Sequence, residues 1–366
     1  MKDDFRAAAQ RIEANPLGRL MYGQKELFHS NLLAWFFDAL PEAADETFRE
    51  FASPGAGSAR RVERERGHLD LVLRWPDRVP LVIENKVFSL PQRDQLEEYE
   101  RATAPWMPAP ALVLLSMTVP PFALGMWRHV RYTELADRIR ASLPSDTSYE
   151  VETMRRYADL VTDLDHLVAA VGVESEAEPV WLTGDMLAVI SSSQTRAALQ
   201  KARAQRVANE LELALPGLDE PPQASMSNAT PLVEVFQYAY IGGVHAHFGW
   251  QLQGSQFRRA VVYHDPAIKG WDDSSRRRRE DLSREHPEFF ALPSVVGSER
   301  AGHKEFNHFA PNFVYQYAKV GAITVGELIA AARQVRESIQ SLAAGQSSDP
   351  SRPADATGGR LDRGRS

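Results

Sequence analysis

The 366-residue chain carries 42 Lys and Arg against 49 Asp and Glu, a formal charge of −7, and it has no cysteine. This excludes disulfides, Cys-ligated zinc, iron–sulfur clusters and thiol nucleophiles, and it argues against coating nucleic acid through global charge. A local basic groove stays open, because counterion release counts contacted phosphates rather than whole-chain charge.

Apolar residues at 43% and charged residues at 25% fit a globular protein, with length suggesting roughly two to three domains. No segment approaches the ~18 apolar residues of a membrane span, and Met1–Arg19 lacks the apolar core of a secretory signal. The expectation is a soluble, cytoplasmic protein.

In chain order, Gln24–Leu40 sets Leu27, Phe28, Leu32, Leu33, Trp35, Phe36 and Leu40 at helical spacing. Arg61–Glu65 and His68–Trp75 read as strands, and the Pro76–Pro80 turn leads to a third at Leu81–Val87. Pro91 opens a helix over Gln92–Ala102. Ala111–Thr118 is an apolar run of buried-strand length. Thr133 is expected to cap a helix through about Leu143, and Tyr149–Val171 and Ser191–Leu215 are further helices.

This order predicts an α/β core over residues 1–215, a mixed sheet flanked by helices. Leu215–Pro231, with four prolines, marks a boundary. Residues 216–344 read as an α+β lobe. In it Val244–Gln253 and Gln256–His264 flank Gly254-Ser255 as a hairpin, and Val325–Leu342 is a helix. Gly345–Ser366 reads as a disordered tail.

The informative segment is Gly67-His68-Leu69-Asp70-Leu71, then Leu81-Val82-Ile83-Glu84-Asn85-Lys86, then Gln95-Leu96-Glu97-Glu98-Tyr99. Side chains alternate along a strand, so Glu84 and Lys86 share one face and Ile83 and Asn85 the other. A short hairpin brings Asp70 near Glu84, because paired strands lie ~5 Å apart. Gln95 and Tyr99, one helical turn apart, share a face. Two converging carboxylates suit a hard, oxygen-loving cation, and an adjacent lysine can bind a phosphate oxygen or act on a water.

Asp70, Glu84-Asn85-Lys86 after thirteen intervening residues, and Gln95-x-x-x-Tyr99 together resemble the PD-(D/E)XK nuclease superfamily. Glu26-Leu27-Phe28-His29-Ser30-Asn31-Leu32-Leu33-Ala34-Trp35 is similar as well, and the resemblance spans Gln24 to about Thr118.

It implies a restriction-endonuclease-like core in which Asp70 and Glu84 bind Mg²⁺ or Mn²⁺, with the Asn85 carbonyl as a third ligand. Lys86 would activate water or stabilise phosphate. Gln95 and Tyr99 would position the site, and Glu26 would be an outer carboxylate. The residue before Asp70 is not proline, and His68 stands where related sequences often have arginine, which places a phosphate contact at His68 in question.

Other polar residues carry two readings each. Glu26 equally suits a helix start, where the dipole favours acids. His29 reads as a solvated or core-edge histidine. Glu63 and Glu65 share a strand face, near the site or paired with Arg61 or Arg64. His245 and His247 share a strand face that would suit a transition metal, with no third ligand evident; His303 and His308 are undistinguished. Arg276, Arg277, Arg278 and Arg279 read as a phosphate-contacting loop or as solvated surface.

No P-loop signature occurs, so any ATP-driven step would come from a partner. The expected function is a DNA nuclease of defence or repair, with RNA left open as substrate. The alternative is a nucleic-acid-binding or regulatory subunit of a defence complex, inactive without its partner. No membrane is expected, and a homo-oligomer or a partner ATPase fits either reading.

Overall fold

The computed structural model describes residues 2–21, 25–51, 60–76, 78–87, 91–120, 122–227, 230–241, 243–265, 270–297 and 299–346. The chain begins with four helices, α1 (Lys2–Ala14), α2 (Pro16–Met21), α3 (Lys25–Ala39) and α4 (Pro41–Thr47). Strands β1 (Arg61–Arg66), β2 (Leu69–Arg74) and β3 (Leu81–Lys86) follow, then α5 (Arg93–Thr103), β4 (Ala111–Ser116), β5 (Trp127–Arg131) and α6 (Tyr132–Ser142). Next come α7 (Tyr149–Ala170), α8 (Gly184–Ala188), α9 (Ser193–Ala214), β6 (Gln223–Ser227), β7 (Thr230–Ile241), β8 (Val244–Gln253) and β9 (Gln256–Tyr263). Then α10 (Asp273–Glu285), β10 (Asn307–His308), β11 (Phe313–Lys319) and α11 (Val325–Gln346) complete the order.

Two compact units emerge. The first comprises Met1–Pro216, Pro222–Val233 and Gly321–Leu328, the second Gly217–Pro221, Glu234–Val320 and Ile329–Ser366. The return of 321–328 to the first unit is backbone-driven: Val180 N–H donates to the Ile323 carbonyl at 2.9 Å, and Val325 N–H to that of Glu178 at 2.9 Å. Nothing in the local sequence of 321–328 announces this pairing.

The first unit is built on a five-stranded mixed sheet in the order β1-β2-β3-β4-β5. β1, β2 and β3 are antiparallel, and β3, β4 and β5 run parallel. Helices cover both faces. Leu71, Leu73, Leu81, Ile83, Val113 and Leu115 pack into a core with Leu33, Phe36 and Phe37 of α3, Leu135 of α6 and Leu160, Val161 and Leu164 of α7. On the opposite face Val72, Val82, Leu112 and Leu114 meet Leu96 and Tyr99 of α5. Each fully buried aliphatic side chain contributes roughly 1.5–3 kcal/mol, and the alternation along β3 divides its residues between the two cores. The α/β core with a mixed, helix-flanked sheet is therefore as expected.

The expected helices and strands of this unit appear within a few residues of their anticipated limits. α6 starts at Tyr132 with Arg131 at its N-cap and no side-chain cap, so Thr133 lies inside the first turn rather than capping it. β5 was not anticipated. Its Trp-Arg-His-Val-Arg sequence alternates buried and exposed positions weakly, and the parallel pairing with β4 selects the strand.

In the second unit, β8 and β9 form the expected hairpin around Gly254-Ser255, with Gln253 opposite Gln256. A six-stranded sheet has the order β10-β11-β9-β8-β7-β6, with β10–β11, β11–β9 and β9–β8 antiparallel. Residues 347–366 of the expected tail lie outside the described residues, and α11 extends to Gln346.

Candidate active site

The site forms where β2 and β3 meet beneath α5. Gly67 (φ +58°) and His68 (φ +71°) make a two-residue turn with both residues in the left-handed region, so the strand begins at Leu69, with Arg66 opposite Leu69. That geometry matches the twist of flanking antiparallel strands, and glycine takes it without penalty. The β2–β3 register then places Leu71 opposite Ile83. One step further along, Asp70 lies level with Glu84.

All six residues of β3 are buried. Glu84 is 1% exposed and Lys86 8%. Both project toward α5, on the side of Val82, while Asn85 projects into the opposite layer. Lys86 Nζ lies 2.7 Å from Glu84 Oε1. The Asn85 N–H donates to Asp70 Oδ2 at 2.7 Å, which draws the Asp70 carboxylate to the end of the ladder. From α5, Gln95 Nε2 donates to the Tyr99 hydroxyl at 2.7 Å and makes a longer contact of 3.4 Å to Glu84 Oε1. Asp70, Glu84, Asn85, Lys86, Gln95 and Tyr99 thus come together.

Burial pushes the Glu84 carboxyl up to about 8, with the Asp70 charge adding to the rise and Lys86 opposing it. Desolvation and then the Glu84 charge raise the Tyr99 phenol. Glu84 Oε2 is buried with no hydrogen-bond partner among the described residues. A buried carboxylate oxygen without a donor is costly, and its charge would be offset by a cation placed between Glu84 and Asp70.

The donor set is oxygen-only and half-open to solvent at Asp70, which suits Mg²⁺ or Mn²⁺. Among the described residues no group of three or more His, Asp or Glu side chains is arranged to hold a metal. The site offers two carboxylates, as these cations commonly use alongside waters and substrate phosphate.

Other expected residues fall elsewhere. Glu26 lies in α3, and its side chain is outside the described residues. His68 is exposed on the β1–β2 turn. Glu63 forms ion pairs with Arg66, Arg61 and Arg74, the structural reading of that residue.

His29 is wholly buried in the core, neither solvated nor at its edge. Burial lowers its imidazole to about 3, and its Nδ1 lies 3.2 Å from the Tyr157 hydroxyl.

Arg276–Arg279 correct the loop expectation: they lie in α10, capped by Asp272, which accepts from Ser275 N–H. Helical rotation splits the run. Arg279 is fully buried and donates to the Gly270 carbonyl, Arg276 pairs with Glu280, and Arg277 and Arg278 are exposed.

In the second unit His247 Nδ1 meets His264 Nε2, and His247 Nε2 lies 3.3 Å from Glu220. His245 instead contacts the Tyr238 hydroxyl at 2.9 Å.

Sequence reasoning missed Ser30 and Tyr132. Asn85 Nδ2 donates to Ser30 Oγ at 2.7 Å, and the Tyr132 hydroxyl donates to Asn85 Oδ1 at 3.0 Å. The polar His29-Ser30-Asn31 interruption in an otherwise apolar helix was the available signal for Ser30. Tyr132 had none, because its contact spans 47 residues of sequence.

Residues 17–106 fit the model of the PD-(D/E)XK nuclease superfamily, a span holding Asp70, Glu84, Asn85, Lys86, Gln95 and Tyr99. No curated protein and no solved structure matches the chain. The family match spans about a quarter of the chain, including β1 to β3 and α5 of the first unit, and is a likeness of this segment to the PD-(D/E)XK nuclease superfamily.

Proposed function

We propose that this chain is a metal-dependent nuclease that hydrolyses phosphodiester bonds in DNA. The observation that carries the reading is Glu84, a buried carboxylate with one oxygen lacking a donor, set beside Asp70 and Lys86. Asp70 and Glu84, with the Asn85 backbone carbonyl, would hold Mg²⁺ or Mn²⁺. When bound, that ion supplies Lewis-acid stabilisation of charge building on the phosphate and lowers the pKa of water.

Lys86 as an ammonium donates hydrogen bonds to a non-bridging phosphate oxygen and orients the attacking water. The water oxygen bonds to phosphorus and gives up a proton to solvent, the ester P–O bond breaks, and the departing sugar oxygen takes up a proton from solvent. Gln95, anchored on Tyr99, braces Glu84 from α5. Tyr99 stays protonated through the neutral range, so its hydroxyl remains a donor.

The cytoplasm, and a role in defence or repair alone or beside a partner ATPase, are the setting we propose. The second unit, read as an α+β accessory lobe, would then serve substrate choice, with the exposed Arg277 and Arg278 as phosphate contacts.

The test incubates the full chain with circular and linear, single- and double-stranded DNA, and with RNA, in Mg²⁺, Mn²⁺ or EDTA. Metal-dependent cleavage reduced about 10²–10³-fold by Lys86→Ala supports the reading. DNA binding unaffected by metal, with no cleavage, overturns it in favour of a binding or regulatory subunit.

A further inference from the structure

Asn85 occupies a position where burial alone would call for an apolar residue. Its neighbours on that face of the sheet, Ile83 on β3 and Leu115 on β4, belong to the larger core, and Asn85 itself is 0% exposed. A carboxamide there costs desolvation free energy unless both ends are bonded. Both are, to Ser30 on α3 and Tyr132 at the start of α6.

The backbone adds a reason. The β2–β3 ladder reaches Leu71 and Ile83; beyond it, the Asn85 N–H turns to the Asp70 side chain. The end of β3 that carries Glu84 and Lys86 is therefore held by β4 on one edge, by a carboxylate on the other, and by the Asn85 carboxamide from behind.

Resting on the nuclease reading above, we infer that Asn85 is a positioning residue. Its carboxamide, clamped between Ser30 and Tyr132, sets where Glu84 and Lys86 stand on the opposite face of β3. Adjacent strand residues are joined by a rigid planar peptide, so a fixed Asn85 leaves its neighbours few alternatives. One residue thus ties Asp70 through its N–H, and α3 and α6 through its side chain, to the strand bearing the other charged groups. For the side chain this is an outer-layer role, of the kind that sets ligand orientation without touching the ion, distinct from the ligand role proposed for the backbone carbonyl of the same residue.

The test uses the full chain with Tyr132→Phe, Ser30→Ala and the double variant, measuring Mn²⁺ affinity by calorimetry, kcat and KM on DNA, and Tm. Asn85 itself is left intact, because its replacement endangers folding. Each single variant is expected to bind Mn²⁺ about tenfold more weakly and to lose about tenfold in kcat. KM should stay unchanged and Tm should move by a few degrees at most. The double variant should be little worse than the poorer single one, since both hydroxyls hold one carboxamide.

Variants that keep Mn²⁺ affinity and kcat within about twofold of wild type, whatever their Tm, overturn the positioning role and leave the nuclease reading intact. A wild type that binds no Mn²⁺ overturns the nuclease reading, and the inference with it.

Discussion

Glu84 in the first unit and Arg259 in the second are both charged residues 1% exposed, yet their surroundings differ in kind. Arg259 Nε donates to the Ala291 carbonyl at 3.0 Å and its Nη1 to that of Gly249 at 2.8 Å. Its guanidinium serves as a cross-link between backbone segments, and burial lowers it only to about 10. Glu84 has a lysine on one oxygen and, among the described residues, no donor on the other, with a second carboxylate close by. A buried charge that serves the fold is satisfied by the fold. A buried charge left partly unsatisfied marks the place where a ligand completes the structure.

The sharpest way to break this contrast is pH. The folded Glu84 carboxyl is raised from its ordinary 4.5 to about 8, so between those values the native state holds more protons than the unfolded state. Stability of the metal-free protein should therefore be highest near and below pH 4.5, as far as this group is concerned. It should fall as pH rises through 8, by a few kcal/mol in total.

Glu84→Gln should abolish that fall, matching the wild type near and below pH 4.5 and exceeding it by a growing margin as pH rises toward 8. Arg259 stays protonated across the same window and adds no slope. Urea titrations at several pH values read this directly, and a Glu84→Gln curve as steep as wild type would sink the assignment. Mg²⁺ binding at pH 7 should release a proton, visible as buffer-dependent heat in calorimetry.

The complementary prediction concerns the satisfied charge. Arg259→Met removes the guanidinium donor from the buried Gly249 carbonyl and the part-buried Ala291 carbonyl and should cost about 1–3 kcal/mol of stability. Mn²⁺ affinity should be unaffected. A parallel loss of metal binding in this variant would erase the distinction between the two residues.

The smallest expected effect is at Gln95. Its 3.4 Å contact to Glu84 is too long to bear much of the carboxylate's charge, while its 2.7 Å bond to Tyr99 is sound. Gln95→Ala should weaken Mn²⁺ binding only about two- to fivefold. A loss as large as that of Glu84→Gln would make Gln95 part of the ion's immediate shell.

Much of the first unit could be read from local pattern. The apolar run Leu81-Val82-Ile83 after the Pro76–Pro80 turn predicted the strand, and the two-residue period of a strand put Glu84 and Lys86 on one face, because that period is local geometry. The spacing of Gln95 and Tyr99 on a helix is equally local, whereas His68, expected inside the strand, lies in the turn before it. The four arginines at 276–279 misled for the same reason in reverse. A charge run looks like one patch in sequence, yet helical rotation sends Arg279 into the core and leaves Arg277 and Arg278 outside.

What the sequence determined by itself was the order β1-β2-β3-α5-β4 and the set Asp70, Glu84, Lys86, Gln95 and Tyr99, all within one short stretch of chain. Tertiary structure decided what surrounds them: how deeply Glu84 is buried, which of its oxygens lacks a donor, and which side chains grip Asn85 from behind. Those properties depend on Ser30 and Tyr132, brought in from helices 55 and 47 residues away in sequence. Desolvation and hydrogen-bond closure arise only when distant segments pack, and no local period encodes them.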